Sequence, residues 1–182
     1  MTSSPCTADD VIAFWQNAGP ERWFRKDTAF DDEFRARFLP AHEAAAAGSL
    51  DDWAATAPGA LALLILLDQF PRNAFRGTAR MFATDAQARA IANTAIANGF
   101  DQAVEPALRP FVYLPFMHSE LLVDQHRSVA LNERLDADTL KFARLHLDII
   151  ERFGRFPHRN DVLGRYSTRA EQHFLAEGGF AG

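Results

Sequence analysis

The stretch Ala60 to Leu67, ALALLILL, is apolar at every position and passes at once into Asp68-Gln69-Phe70-Pro71-Arg72-Asn73. A helix with no wet face must be packed all round, so the rest of the chain has to wrap this one. The run is too short to span a bilayer. It predicts a central buried helix that ends at Phe70-Pro71, with its C-terminal end at a polar site. Asp68 there opposes the negative end of the helix macrodipole and needs a cationic partner, for which Arg72 and Arg76 are nearest.

The 182 residues are the length of one domain, with 48% hydrophobic residues and sixteen phenylalanines to build an aromatic core. We expect a single all-helical domain over 1–182 with residues 1–6 as a flexible tail. Cys6 is the only cysteine, which excludes a disulfide framework and a thiolate metal cluster and fits a reducing cytoplasm. The first residues, MTSSPCTADD, lack the basic start and apolar core of a secretory signal, and no later run has membrane-spanning length. The expected compartment is the cytoplasm, with no membrane partner. A net charge of -5 argues against a nucleic-acid binder that works by neutralising phosphates. Lysine occurs only at Lys26 and Lys141, so the basic charge is almost all arginine, which pairs with carboxylate or phosphate through two parallel donors.

Helix signals recur along the whole chain. Thr7 caps a helix to about Ala18, ended by Gly19-Pro20, and Asp27 caps a second with Phe30, Phe34 and Phe38 at a spacing of four. Pro40 is expected to kink or break that helix, and Gly48 to close it. Ser49, Asp51 and Trp53 predict a short helix ended by Ala57-Pro58. Thr84 is the expected cap of a helix with Ala88, Ile91, Ala95 and Ile96 on a narrow apolar face, ended at Gly99. Pro115 is expected to open a helix from Phe116 to Leu131. Asp136 or Asp138 opens a long one to Phe153, with Leu140, Ala143, Leu147 and Ile150 on one side and Phe142, His146, Ile149 and Phe153 on another. Ser167, with Glu171 a capping-box distance beyond Thr168, begins the last, to Glu177. No segment sustains β alternation. The fold class is all-α, with antiparallel helical hairpins forming a bundle or a short solenoid.

Two motif groups bear on chemistry. Phe70-Pro71-Arg72-Asn73 with Arg76 is echoed by Phe156-Pro157-His158-Arg159-Asn160 with Arg165 and the preceding Arg155. Such exits can be architectural, with Arg reaching back to orphan carbonyls. Alternatively the two meet and present five arginines, with Asn73 and Asn160, to an anionic ligand. The second group is His118-Ser119-Glu120 with Asp124 and Gln125. On a helix, Glu120 and Asp124 lie one turn apart, where like charges repel, so they need basic partners elsewhere. Either these acids form salt bridges with the exit arginines or the set is a site with His118, Glu120 and His158 as proton carriers. His146, on an apolar stripe, reads as a satisfied core histidine. There is no glycine-rich phosphate loop, no G-x-S-x-G elbow and no H-E-x-x-H pair, and nothing in the spacing singles out a metal site or names a cofactor.

LLDQFPRNAFRGT, Phe82-Ala83-Thr84-Asp85, YLPFMHSE, Asp124-Gln125 and RFGRFPHRNDVLGRYST resemble the bacterial family catalogued as domain of unknown function 924. The resemblance covers nearly the whole chain and includes Trp23, Phe24 and Asp27; Gln16 departs from it, where the first helix would otherwise continue aromatic. It implies a fold similar to the tetratricopeptide-repeat class, with stacked helical hairpins, and supplies no activity.

The expectation is therefore a soluble helical protein with an arginine-rich pocket for a small carboxylate- or phosphate-bearing molecule. Its catalytic candidates are His118, Glu120 and His158. Its binding candidates are Asp68, Gln69, Arg72, Asn73, Arg76, Ser119, Asp124, Gln125, Arg155, Arg159, Asn160 and Arg165. The alternative is a non-catalytic helical-repeat module that binds a peptide or protein, with the same arginines and acids serving as structural salt bridges. Whether the protein is an enzyme stays open between these.

Overall fold

The structure, a computed structural model, describes residues 6–181. The expected tail therefore lies outside the described residues except for Cys6, which is half-buried. Among the described residues there is helix and no strand, so the chain is all-α. No described helix is long and apolar enough to cross a membrane. The chain forms two compact units, Met1–Arg76 with Arg80–Pro115, and Gly77–Ala79 with Phe116–Gly182.

In the first unit, α1 (Ala8–Ala18) starts at the Thr7 capping box, in which Asp10 answers the Thr7 side chain, and it buries Val11, Phe14 and Trp15. Gly19, at φ 73°, turns the chain into the short α2 (Pro20–Trp23). The Trp23 indole there donates to the carbonyl of Trp15 at 2.6 Å. Asp27 caps α3 (Thr28–Ala46), and Gly48 closes it with paired bonds from Gly48 N to Ala45 O and Ser49 N to Ala44 O. Pro40 does not break this helix. Pro40 lies on the exposed side, as does Ala36, one turn earlier, while Phe34, Phe38, Ala41, His42 and Ala45 hold the opposite face in the core.

Ala57-Pro58 open a helix rather than ending one: Thr56 accepts from Gly59 N, and Pro58 sits in the first turn of α4 (Ala57–Leu64), where its missing N–H costs nothing. Every residue from Ala60 to Leu67 is at most 2% exposed. Phe70-Pro71 do not end this run. The helix widens into a π turn over Ile65–Gln69 and resumes as α5 (Phe70–Ala74). Around it stand Trp15, Phe34 and Phe111, with Phe70 edge-on to Phe34 at 5.0 Å. Helix α6 (Asp85–Ala97) packs against α4 and buries Ala88, Ala92 and Ala95, small residues that let two helices approach closely. After α7 (Phe100–Ala103), α8 (Pro110–Met117) contains Pro115 in its interior and is buried from Phe111 to Met117. Packing again carries the helix past a proline.

In the second unit, the expected helix from Phe116 to Leu131 is interrupted. The chain leaves α8 after Met117 and re-enters helix only at α9 (Leu122–Asn132). A short link capped by Asp136 joins α9 to α10 (Ala137–Phe153), and the two helices pack as a hairpin. On α10 the buried residues are Ala143, His146, Ile149 and Ile150, whereas Phe142 is exposed. Gly154, left-handed at φ 68°, ends it. Thr168 and Glu171 form the expected capping box of α11 (Arg169–Ala176), which packs against the 3-10 turn Pro157–Arg159.

Candidate functional site

Asp68, Gln69, Arg72, Asn73 and Arg76 belong to the first unit, on the π turn and the helix after it. A π turn pairs each N–H one residue further back, so Phe70 N bonds Ile65 O and the carbonyl of Leu66 is released. Pro71 has no N–H, which releases the carbonyl of Leu67 as well. Both are answered from distant segments. His42 Nδ1 lies 2.9 Å from Leu66 O and therefore carries the proton on that nitrogen, and Thr84 Oγ1 donates to Leu67 O at 2.5 Å. Thr84 is thus spent on the π turn and makes no side-chain bond to cap α6. His42 stacks on Phe70 at 4.8 Å, and burial pushes its pKa down.

Asp68 is 1% exposed and paired, as its position required. Arg72 Nη1 stands 3.2 Å from Asp68 Oδ1, donates to the Asp68 carbonyl at 2.7 Å, and with Nη2 forms a fork on Asp85 at 2.9 and 3.1 Å. Burial would lower the Arg72 pKa, but the charges of Asp68 and Asp85 outweigh it and raise it. Gln69 donates to Asp68 at 2.6 Å. Asn73 and Arg76 converge on Asp31 of α3, Asn73 Nδ2 at 2.6 Å and Arg76 through Nε at 2.6 Å and Nη2 at 3.2 Å. The first exit loop is therefore an acid-matched network. Sequence reasoning missed Asp31, His42 and Asp85 as members, although Asp31 and His42 sit on the Phe34–Phe38 stripe of α3 at helical spacing.

The remaining expected residues belong to the second unit, where His118, Ser119 and Glu120 occupy the non-helical link between α8 and α9. The spacing reasoning that set them on one helix therefore does not hold. Gln125, fully buried, donates to the carbonyls of Met117 at 2.8 Å and Ser119 at 2.6 Å, closing the end of α8. Ser119 Oγ donates to Asp124 at 2.7 Å and accepts from Leu121 N at 3.2 Å, so both shape the entry into α9.

Glu120 accepts from Phe156 N at 2.9 Å and from both terminal nitrogens of Arg165, at 2.8 and 2.9 Å. Burial pushes the Glu120 pKa up, but these donors prevail and lower it, so the group is an ionised acceptor near neutral pH. Arg155 forks onto Glu171 at 2.6 and 2.9 Å; with that fork the leading cause, Glu171 falls to about 2. Asn160, fully buried, donates to Ser167 Oγ at 3.1 Å.

The second exit differs from the first in local structure. Phe156 is extended and Pro157-His158-Arg159 form a 3-10 turn, where Phe70-Pro71-Arg72 are helical. Arg159 donates to the carbonyl of His118 at 2.9 Å and lies over the Phe156 ring at 4.5 Å. His146 faces the other edge of this group: its Nδ1 is 2.8 Å from Phe142 O and its ring is edge-on to Phe156 at 5.4 Å. Its pKa is lowered to about 3, chiefly by burial, with His118, Arg159 and His158 pushing the same way. His146, His158 and the Arg159 guanidinium thus gather around Phe156, with the His118 carbonyl bonded to Arg159, a grouping whose guanidinium can hold negative charge. Among the described residues no group of three or more His, Cys, Asp or Glu is arranged to hold a metal ion.

A separate cleft of about 260 Å³ lies between α1 and α3 in the first unit, floored by Phe14 and Phe30 and edged by Asn17, Arg22 and Arg37. None of the catalytic or binding candidates read from the sequence lines it.

No curated protein matches the chain. A solved structure of a protein of unknown function, ATU0120 from Agrobacterium tumefaciens, superposes with a TM-score of 0.92 at 54% identity, over 94% of this chain and 97% of that one. Residues 11–179 match the family model described as bacterial protein of unknown function (DUF924). With both the family pattern and the helical architecture in agreement over nearly its whole length, the chain belongs to the DUF924 family.

Proposed function

We propose that the second unit binds a small carboxylate- or phosphate-bearing molecule at Arg159, His118 and His158. The observation that carries this is the placement of Arg159, which donates to the His118 carbonyl at 2.9 Å and lies 4.5 Å over the Phe156 ring, while His158 packs against the same ring at 5.7 Å. Arg165 and Glu120 act behind them as a fixed pair that sets the second exit against the His118–Glu120 link. His118 and His158 are the groups fitted to carry a proton. Arg72 and Arg76, matched to Asp68, Asp85 and Asp31, are assigned to structure.

The test is a melting-curve screen of anionic metabolites followed by titration of Arg159 variants. A charge-assisted contact contributes about 1.5 to 3 kcal/mol, so Arg159→Ala should weaken the ligand at least tenfold while Arg159→Lys keeps part of the affinity. An absence of any anion-induced shift, or binding unchanged by Arg159→Ala, overturns the proposal.

A second reading, a tetratricopeptide-repeat-like module for a peptide or protein partner, is favoured by the consecutive exposure of Leu121, Leu122 and Val123 at the start of α9. Charged substitution of Val123 would abolish partner binding under that reading and leave anion binding intact under the first.

A further inference from the structure

Phe180 stands between His158 of the proposed anion site and the buried His146 beside it. Its ring is 4.7 Å from His146 at 62° and 5.3 Å from His158 at 81°, an edge-on arrangement to both. It also packs on the small apolar cluster of Ile149, Ile150 and Phe156. A slot with two imidazole walls and an apolar floor favours a flat ring over an aliphatic group, because the edge-to-face geometry adds to the area buried.

The chain is bent sharply to deliver that ring. Gly178 is left-handed at φ 82°, and a Cβ on Gly179 would lie 2.6 Å from the Phe174 ring, so only glycine lets the backbone pass there. The return is tied by Gly179 N to Phe174 O at 2.9 Å. Beyond it Phe180 is half-buried and Ala181 is exposed.

We propose that the slot between His146 and His158 is the subsite for an aromatic ring of the ligand, and that Phe180 is its internal occupant. The ligand is then an aromatic acid: its ring replaces Phe180, and its carboxylate or phosphate reaches Arg159. This rests on the anion site proposed above. It makes the segment from Gly178 a built-in competitor, since affinity measured on the intact chain is reduced by the fraction of molecules in which Phe180 fills the slot.

Calorimetric titrations of the full chain with 3-phenylpropionate against propionate, and phenyl phosphate against inorganic phosphate, test the subsite in wild type and Phe180→Ala. Each aromatic acid is expected to bind at least tenfold more tightly than its small counterpart. Phe180→Ala is expected to tighten the aromatic acids about tenfold and leave the small anions unchanged, and Phe180→Trp to weaken the aromatic acids. Should Phe180→Ala melt early, Phe180→Leu, which keeps apolar bulk without the ring, reads the same comparison. If small and aromatic anions bind alike in every variant, the subsite is refuted and the anion site stands. If neither protein binds any of the four, the anion site is refuted and the subsite falls with it.

Discussion

At the scale of single residues, the charges fall into two energetic classes. Asp68 and Arg72 are 1% and 14% exposed at their side chains, so Asp68 depends on Arg72, and Arg72 on Asp68 and Asp85 together, for the solvation each has lost. Removing one partner of such a pair strands the other's charge in the core, at a typical cost of about 3 to 5 kcal/mol. Arg72→Ala is therefore expected to lower the melting temperature most, and Asp68→Asn to lower it clearly but less, because Asp85 still holds Arg72. Glu43 and Arg80 also pair, but with side chains 52% and 47% exposed. Water screens that contact, and Glu43→Gln should change stability by no more than about 0.5 kcal/mol. Equal effects of Asp68→Asn and Glu43→Gln in denaturant titrations would contradict this division. The need of Asp68 for a cation was legible from its place after an apolar run. That its partner Arg72 is shared with Asp85 was not, because 13 residues separate them and only the fold closes the gap.

At the scale of elements, capping was legible and proline was not. Thr7 caps where the sequence set it, Asp27 and Asp136 are each one of two neighbouring residues the sequence offered, and the last cap falls on Thr168 beside Ser167; each such cap is satisfied within three residues of itself, whereas Thr84, drawn to the π turn, makes no cap bond. Pro40 and Pro71 look like breaks and Pro115 like a start, and each lies inside helical structure. Each costs its helix a bond, but the burial of the opposite face, or a donor brought from elsewhere, outweighs that local loss. The π turn shows how. Leu67 O has no helical donor because residue 71 is proline, and Thr84 supplies one. Thr84→Val should thus leave a buried carbonyl unanswered, costing about 1 to 3 kcal/mol. In the double variant with Pro71→Ala, a new backbone N–H becomes available to the same region. The double variant is expected to be less destabilised than the sum of its parts, and strict additivity in denaturant melts would show that the two residues do not serve one carbonyl.

For the whole molecule, the all-α class was legible because every segment carried helix signals, whereas the pairing of the sites was not. Glu120 with Arg165, and Asp31 with Arg76, are 45 residues apart, a separation at which spacing rules have no force. The two units also differ in what they ask of the solvent. The aromatic core around Trp15, Phe34, Phe70 and Phe111 in the first is mainly apolar, but the second builds around an uncharged His146 and the depressed carboxylates Glu120 and Glu171. His146 titrates at about 3 when folded and near 6.5 when unfolded. Below pH 6.5 the unfolded chain therefore takes up a proton that the folded chain refuses, so stability falls as pH falls, by up to about 1.4 kcal/mol per pH unit until the folded value is reached. Burial of His42 acts in the same sense, and the carboxylates begin to lose their share below about pH 4.5, their unfolded value. Urea titrations from pH 7.5 down to 5.5 should thus show a loss that sets in ahead of the protonation of Glu120 and Glu171. In His146→Leu that slope should be smaller by one proton's worth. A slope identical to wild type would mean that His146 is protonated in the native protein and that the group around Phe156 is not built on a neutral imidazole.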